Sequence, residues 1–347
     1  FWVYQARGSA TGQASADLTF QTQGGPFSLD ADQIDLDLAP LYLNNDQEVF
    51  KRGRIEGSVG FSPFVPRENK GVAMLPFLLV DAQLQFDVNS LKFINLFTRN
   101  FPGLTFEGSG GVAGRLRYRE GHVLSGTDLA VDAGDLQVGI LSHQITGDGA
   151  VTMKLGPDTN EELDLEVLYR DLEVSHTDDD AVLLTGQGLR LNIGGDGMVL
   201  VDPERPNPSR SITATVDGLA LPDLGLLQRY LPEKWPLQLH GGGGELQGMA
   251  YLTPTAMAVD LALNSDGADL AVRDFRFFTD LEVGIKLDNP SVNTQRTSVG
   301  GSFIKLSDAR LTRQANERTA TWDASLIISA GGLSLLVQSK RAEDRSG

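Results

Sequence analysis

Apolar and polar residues alternate over most of this chain. In "QIDLDLAP" every second position is apolar (Ile34, Leu36, Leu38), and the same holds in "AQLQFDV" (Leu84, Phe86, Val88), "ELDLEVLY" (Leu163, Leu165, Val167) and "GLRLNIGG" (Leu189, Leu191, Ile193). A period of two sends successive side chains to opposite sides of an extended backbone, so each segment reads as a strand with one apolar face. The runs "TDLAVDAGDLQVGI", "AVDLALN", "ADLAVRD", "LEVGIKLD" and "WDASLIIS" carry the pattern onward, punctuated at short intervals by Gly, Asn, Asp and Pro. Intervals so short leave no room for crossover helices, which predicts an all-β fold of antiparallel meanders.

Two short segments have helical spacing instead. In "SLKFINLFTRNFPG", Leu91, Ile94 and Phe101 form a stripe behind Ser90 as N-cap, and Pro102 and Gly103 end it. In "LPDLGLLQRYLPE", Asp223 is the cap, Leu224, Leu227 and Leu231 the stripe, and Pro232 the stop. The two segments also open similar stretches of sequence. Arg99 aligns with Arg229 and Pro102 with Pro232; after a three-residue insertion Leu104 aligns with Leu237, Phe106 with Leu239, Gly108 with Gly241, Gly110 with Gly243 and Tyr118 with Tyr251. Downstream, "DLQV" at Asp135 matches "DLAV" at Asp269. This is an internal repeat of roughly 130 residues, the mark of a duplicated unit.

The glycine run Gly241 to Gly244 raises the possibility of a phosphate loop. Such a loop lies between a strand and the N-terminus of a long helix, where N–H groups converge on the anion. Here a short helix comes first and a strand follows the glycines, with no Lys-Ser or Lys-Thr pair behind them. Glycine at alternate positions instead permits close approach of a neighbouring backbone or helix, and Gly243 is expected at such a point.

Composition narrows the function classes. With 46 acidic against 29 basic residues the net charge is -17, which excludes the phosphate-neutralising surface of a nucleic-acid binder. Cysteine is absent, removing disulfides, thiolate metal sites and cysteine nucleophiles. The four histidines (His122, His143, His176, His240) are far apart in sequence, and Asp178 to Asp180 lack the ordered oxygen spacing of a calcium loop. Neither a G-x-S-x-G elbow nor H-E-x-x-H occurs, and Trp2, Trp235 and Trp322 are too scattered to serve a glycan-cleaving carboxylate pair. The expectation is a non-enzyme with no cofactor and no metal.

Strands with one apolar face must bury it, against a second sheet, against helices or against a ligand. Aliphatic side chains dominate the alternation and suit acyl chains and a sandwich core equally. The short helix ending in R-x-[FL]-P, the Gly-x-Gly strand, the "L-V-D-A-x-L" type of strand (Leu79 to Leu84) and the duplication together resemble the AsmA-like proteins of the Gram-negative envelope. The resemblance covers most of residues 75–311. It implies an elongated, curved antiparallel sheet forming a β-groove, with two short helices, and three segments: an N-terminal β region over 1–74, a first repeat over 75–221 and a second repeat with C-terminal strands over 222–347. It further implies carriage of phospholipid or another acyl-chain lipid between membranes, alone or as a subunit. The location implied is the periplasm, with an inner-membrane anchor preceding the chain and envelope proteins as further partners. Leu84, Phe86, Val88, Leu136, Val138, Leu261, Leu263, Leu270, Val272, Val283 and Ile285 are the residues expected to line the groove. The alternative is a structural or adhesive β-sandwich protein of the envelope that binds protein partners.

Overall fold

A computed structural model describes residues 6–20, 24–43, 47–69, 71–96, 103–140, 142–156, 162–179, 181–196, 211–231, 233–253, 255–289, 298–313, 321–329 and 332–339. Arg99, Phe101, Pro102, Asp180, Pro232 and Trp2, singled out above, lie outside them. The fold is all-β. In chain order the first strands are β1 Ala6–Arg7, β2 Ala10–Phe20, β3 Phe27–Leu38, β4 Leu41–Leu43, β5 Gln47–Phe64, β6 Leu78–Val88, β7 Leu104–Glu107, β8 Gly110–Arg119, β9 His122–Val123, β10 Asp128–Ile140 and β11 His143–Leu155. There follow β12 Glu162–His176, β13 Val182–Gly186, β14 Leu189–Asp196, β15 Ser211–Leu221, β16 Leu237–Gly241, β17 Gly244–Leu252, β18 Met257–Val272, β19 Phe275–Asn289, β20 Phe303–Arg313, β21 Thr321–Ser329 and β22 Gly332–Ser339. The contacts divide the chain into two compact units, residues 1–168 with 192–211, and residues 169–191 with 212–347.

In the first unit β2, β3, β5, β6, β8, β10 and β11 pair in that order, all antiparallel. Antiparallel partners share a face, so the ladder sorts side chains into rows. One row runs Leu36–Ile55–Leu84–Gly114–Leu129–Met153, the next Leu38–Gly53–Phe86–Val112–Val131–Val151. The opposite face carries cross-strand ion pairs: Arg54 reaches Asp35 at 2.8 Å and Asp37 at 3.2 Å, and Arg115 donates twice to Asp81, at 2.9 and 2.8 Å. These pairs are solvent-exposed and contribute little stability each. They do assign the faces.

In the second unit β15, β17, β18, β19, β20, β21 and β22 form an antiparallel series. Its apolar rows include Val216–Gly248–Leu261–Ile285 and Leu219–Leu246–Leu263–Val283–Ile304–Leu326. Lys286–Asp260 (3.1 Å) and Lys305–Glu282 (2.9 Å) occupy the other face.

The two units contain the same motif. In the first, β6 pairs β8, β8 and β7 both pair β10, and β10 pairs β11; in the second, β15, β16, β17, β18 and β19 repeat this pattern in the places of β6, β7, β8, β10 and β11. The expected short helices are 3₁₀ helices, Lys92–Leu96 and Leu224–Tyr230, in equivalent places. Each begins at a side-chain cap: Ser90 Oγ accepts from Lys92 N–H at 3.3 Å, and Asp223 Oδ1 from Gly225 N–H at 2.8 Å. Each leads with a buried leucine whose N–H donates to a glycine carbonyl, Leu91 to Gly108 at 2.8 Å and Leu224 to Gly242 at 2.7 Å.

A side-chain amide then clamps the short strand that follows. Asn95 accepts from Phe106 N–H (2.6 Å) and donates to Phe106 C=O (2.9 Å), while Gln228 accepts from Leu239 N–H (2.8 Å).

These equivalences correct the sequence alignment. Leu91 with Leu224, Asn95 with Gln228 and Phe106 with Leu239 run at one constant spacing, so no insertion separates helix from strand. The extra residue is His240: Leu239 pairs Leu270 and Gly241 pairs Asp269, a β-bulge absent from the Leu104–Glu107 strand. The glycines therefore correspond one place later than expected, Gly108 with Gly242 and Gly114 with Gly248. "DLQV" and "DLAV" are also out of step, by two residues, because Val138 pairs Phe106 while Leu270 pairs Leu239.

The expectation for Gly243 is corrected as well. A Cβ there would find Leu221 O at 3.5 Å, an ordinary contact, whereas one on Gly248 would strike Asp260 O and come within 2.9 Å of Leu261 Cα. Gly114 and Gly248 have φ of 133° and 137°, a left-handed strand conformation that side chains disfavour and that bends a sheet locally. A third 3₁₀ helix, Gly71–Phe77, was not anticipated; Pro76 lies inside it. Its Leu75 carbonyl accepts from the Tyr118 hydroxyl at 3.0 Å.

Two predictions follow from these contacts. Replacing Asn95 by Ala strands both backbone groups of Phe106 and should lower unfolding free energy by about 1–3 kcal/mol in denaturant titrations, with Gln228→Ala costing less because one bond is lost. Burial pushes the Tyr118 phenol from 10.0 up to about 12. Its folded value is raised, so its contribution is fully present below pH about 10 and is lost as pH climbs towards about 12. Alkaline unfolding curves of Tyr118→Phe should therefore be flatter across that window than those of the parent.

Candidate functional site

The ladder places each expected groove residue on an apolar face. Leu84, Phe86 and Val88 lie along β6, Leu136 and Val138 along β10, Leu261, Leu263, Leu270 and Val272 along β18, and Val283 and Ile285 along β19. Partners meet across strands: Leu261 faces Ile285 and Leu263 faces Val283. Burial separates them into two groups.

Leu136 and Val138 are closed core, each with 0% exposure. Leu84, Phe86 and Val88, on the face of the same unit, are half-buried. Tyr118, Val123, Leu129, Met153 and Leu155 form a core cluster against which Leu75, Leu78, Val80 and Leu116 pack. A recess lined by Ile94, Val112, Leu129, Val131, Val151, Met153 and Leu165 is about 20 Å³. A volume that small holds a water-sized sphere and excludes an acyl chain.

The second unit differs at equivalent positions. Its 3₁₀ helix covers one end of the face, where Leu224 and Leu227 pack with Leu237, Leu239, Leu270 and Leu281. Past the bulge between Ser265 and Ala268, the rows Leu263–Val283–Ile304 and Leu261–Ile285 are half-buried or exposed. The contrast is clearest in one pair of equivalents: Met153, opposite Leu129, is 6% exposed, and Ile285, opposite Leu261, is 42% exposed. Leu252 and Ile304 continue the exposed apolar surface. No charged side chain interrupts these rows, because the period of two sends Asp260, Glu282, Lys286 and Lys305 to the other side.

The Arg229 guanidinium hydrogen-bonds Asp179 and holds its carboxyl below the ordinary range, and Arg276 does the same to Asp269. Both are exposed surface pairs. Among the described residues, no group of three or more His, Asp and Glu is placed to hold a metal ion, and no helix is long and apolar enough to cross a membrane. The glycines of Gly241 to Gly244 join two strands, with no helix N-terminus behind them. His240 is exposed at the bulge. Compared with models of protein families, with curated proteins and with solved structures, the chain matches none.

Sequence pattern alone did not separate Leu136 and Val138 from the half-open set, since alternation gives the face of a residue and not what packs over it. A charge distinguishes the groups. Val138→Asp buries an unpaired carboxylate and should unfold its unit or destabilise it by several kcal/mol, whereas Ile285→Asp should cost about 1 kcal/mol or less. Circular dichroism melts of the two variants make the comparison, and equal losses would mean that the second face is closed in solution.

Proposed function

We propose that this chain is a non-enzymatic lipid-binding protein of the cell envelope, AsmA-like in kind. It holds acyl chains on the apolar face of the second unit and acts alone or as a subunit of an assembly that moves phospholipid between membranes. The observation that carries the reading is an uninterrupted aliphatic surface on which Ile285 and Ile304 are exposed and Leu261, Leu263 and Val283 half-buried, where the first unit's equivalents Leu129, Val131, Val151 and Met153 are buried.

Burial of each methylene on such a surface is worth about 0.8 kcal/mol. Several methylenes laid along the rows therefore outweigh the ordering of one flexible chain. The rows present no hydrogen-bond donor or cation to a headgroup, so the polar end of the lipid stays in water and headgroup selectivity is weak. In this reading the periplasm is the compartment and no cofactor takes part.

The test is retention of a photo-crosslinkable phospholipid through gel filtration. The parent should retain label, with little difference between phosphatidylethanolamine and phosphatidylglycerol, and mass spectrometry should place the crosslinks on β18 and β19. Leu261→Asp and Ile285→Asp should lose the label while remaining folded. A parent that retains none, or crosslinks scattered over the charged face, would overturn the reading in favour of a structural or adhesive β protein.

A further inference from the structure

We infer that the chain forms a two-fold dimer by pairing β2 with β2 of a second copy. β2 is an edge strand: among the described residues it pairs with β3 only, and all 11 of its residues are exposed. Natural edges are usually protected by Lys, Pro, inward charge or brevity. β2 has none of these, since its sequence "ATGQASADLTF" holds one charged residue, Asp17. It also bears Leu18 at 55% and Phe20 at 62% exposure, on the apolar side that Leu29 and Phe27 continue inward. The bulge opposite Gln13 to Ser15 is formed by β3, where Gln33 takes φ of 51°, and the irregularity in β2 itself is Gly12, with φ of 145° like the kink glycines Gly114 and Gly248.

What selects a second copy as the occupant is self-complementarity. Let two β2 strands run antiparallel about a two-fold axis through Ser15. Every residue of the strand then finds a partner, and even-numbered residues stay on the apolar side. Phe20 falls opposite Ala10, Leu18 opposite Gly12, and Ala14 opposite Ala16. Each large apolar side chain thus meets a small residue, and Leu18 covers a glycine that has no side chain to clash. On the polar side Thr19 meets Thr11, Asp17 meets Gln13, and Ser15 meets Ser15 of the second copy, so no like charges are opposed. A slip of one residue would set apolar against polar across the whole strand. Such an isologous contact closes on itself, the commonest symmetry of soluble oligomers. It also joins the apolar faces of the two first units edge to edge.

The absence of cysteine makes the register directly testable. Residues at the axis have Cα atoms about 4.5–5.5 Å apart in an antiparallel pair, within disulfide reach. Under mild oxidation Ser15→Cys should crosslink to a covalent dimer. Thr11→Cys and Thr19→Cys should not crosslink alone but should do so when mixed, because each lies opposite the other. In sedimentation velocity over a wide concentration range, the parent should show a monomer–dimer equilibrium. Ser15→Lys and Ser15→Glu should each shift it to monomer by like-charge repulsion at the axis, and mixing the two should restore the dimer. Ser15 is exposed on an edge, so unchanged circular dichroism is expected of all these variants. A parent that stays monomeric and uncrosslinked, an oligomer indifferent to Ser15, or open-ended assembly in place of a dimer would each overturn the inference.

Discussion

The structure depends on keeping one face of an antiparallel ladder apolar from strand to strand. Because side chains alternate with a period of two, an insertion of one residue exchanges the faces of everything beyond it unless the ladder absorbs the extra residue. The bulges perform that absorption. Between Ala133 and Leu136, and between Ser265 and Ala268, the register slips so that Leu136, Val138 and Leu270 remain on the same side as Val131 and Leu263. His240 is the same device in miniature: it adds a residue to β16 and points it at solvent, and Leu237 and Leu239 keep their apolar partners.

Preserved parity allows the two units to share a motif while differing in local packing. The cap, the leading buried leucine, the amide clamp and the glycine that accepts its hydrogen bond recur in both, and these interactions depend on backbone positions more than on side-chain bulk. The core residues are free to vary beneath them. Ala268 stands where the first unit has Leu136, and Leu281 where it has Gly149, an exchange of volume across the bulge that keeps the helix packed on a filled end of the face. In the first unit Leu75 of the unanticipated 3₁₀ helix packs against the Tyr118 and Leu129 cluster, and Ile94, Val131, Met153 and Leu165 line one small recess.

Much of this was legible in the sequence because alternation and capping are local signals. The strands, the antiparallel arrangement, both helices following Ser90 and Asp223, and the face of every groove candidate follow from residues a few positions apart. Register was not legible. Gly241 and Gly242 are indistinguishable as letters, and only pairing across the ladder shows which of them approaches Ala268. The helix Gly71–Phe77 was hidden for a different reason: "GVAMLPF" has neither cap nor periodicity, and its conformation is fixed from outside through contacts such as Tyr118 with Leu75. Burial was the least legible property, since Leu136 and Ile285 occupy equally regular alternations and differ only in what lies above them.

That difference bears on which reading of the apolar face is physically stronger. A sandwich interface and a lipid site both need aliphatic rows, but a folded sandwich closes its own rows, as the first unit does at Leu129, Val131, Val151 and Met153. In the second unit the ion pairs Lys286–Asp260 and Lys305–Glu282 hold the far side in water, and the near side offers side chains such as Ile285 with nothing polar among them. Exposing such a surface costs free energy in proportion to its area, and an apolar ligand recovers that cost without demanding shape-specific contacts. A protein partner would recover it too, but stable protein interfaces pair an apolar core with a polar rim that supplies hydrogen bonds, and these rows supply none. The chemistry of the face therefore favours an occupant that is aliphatic along its length and polar only at its end.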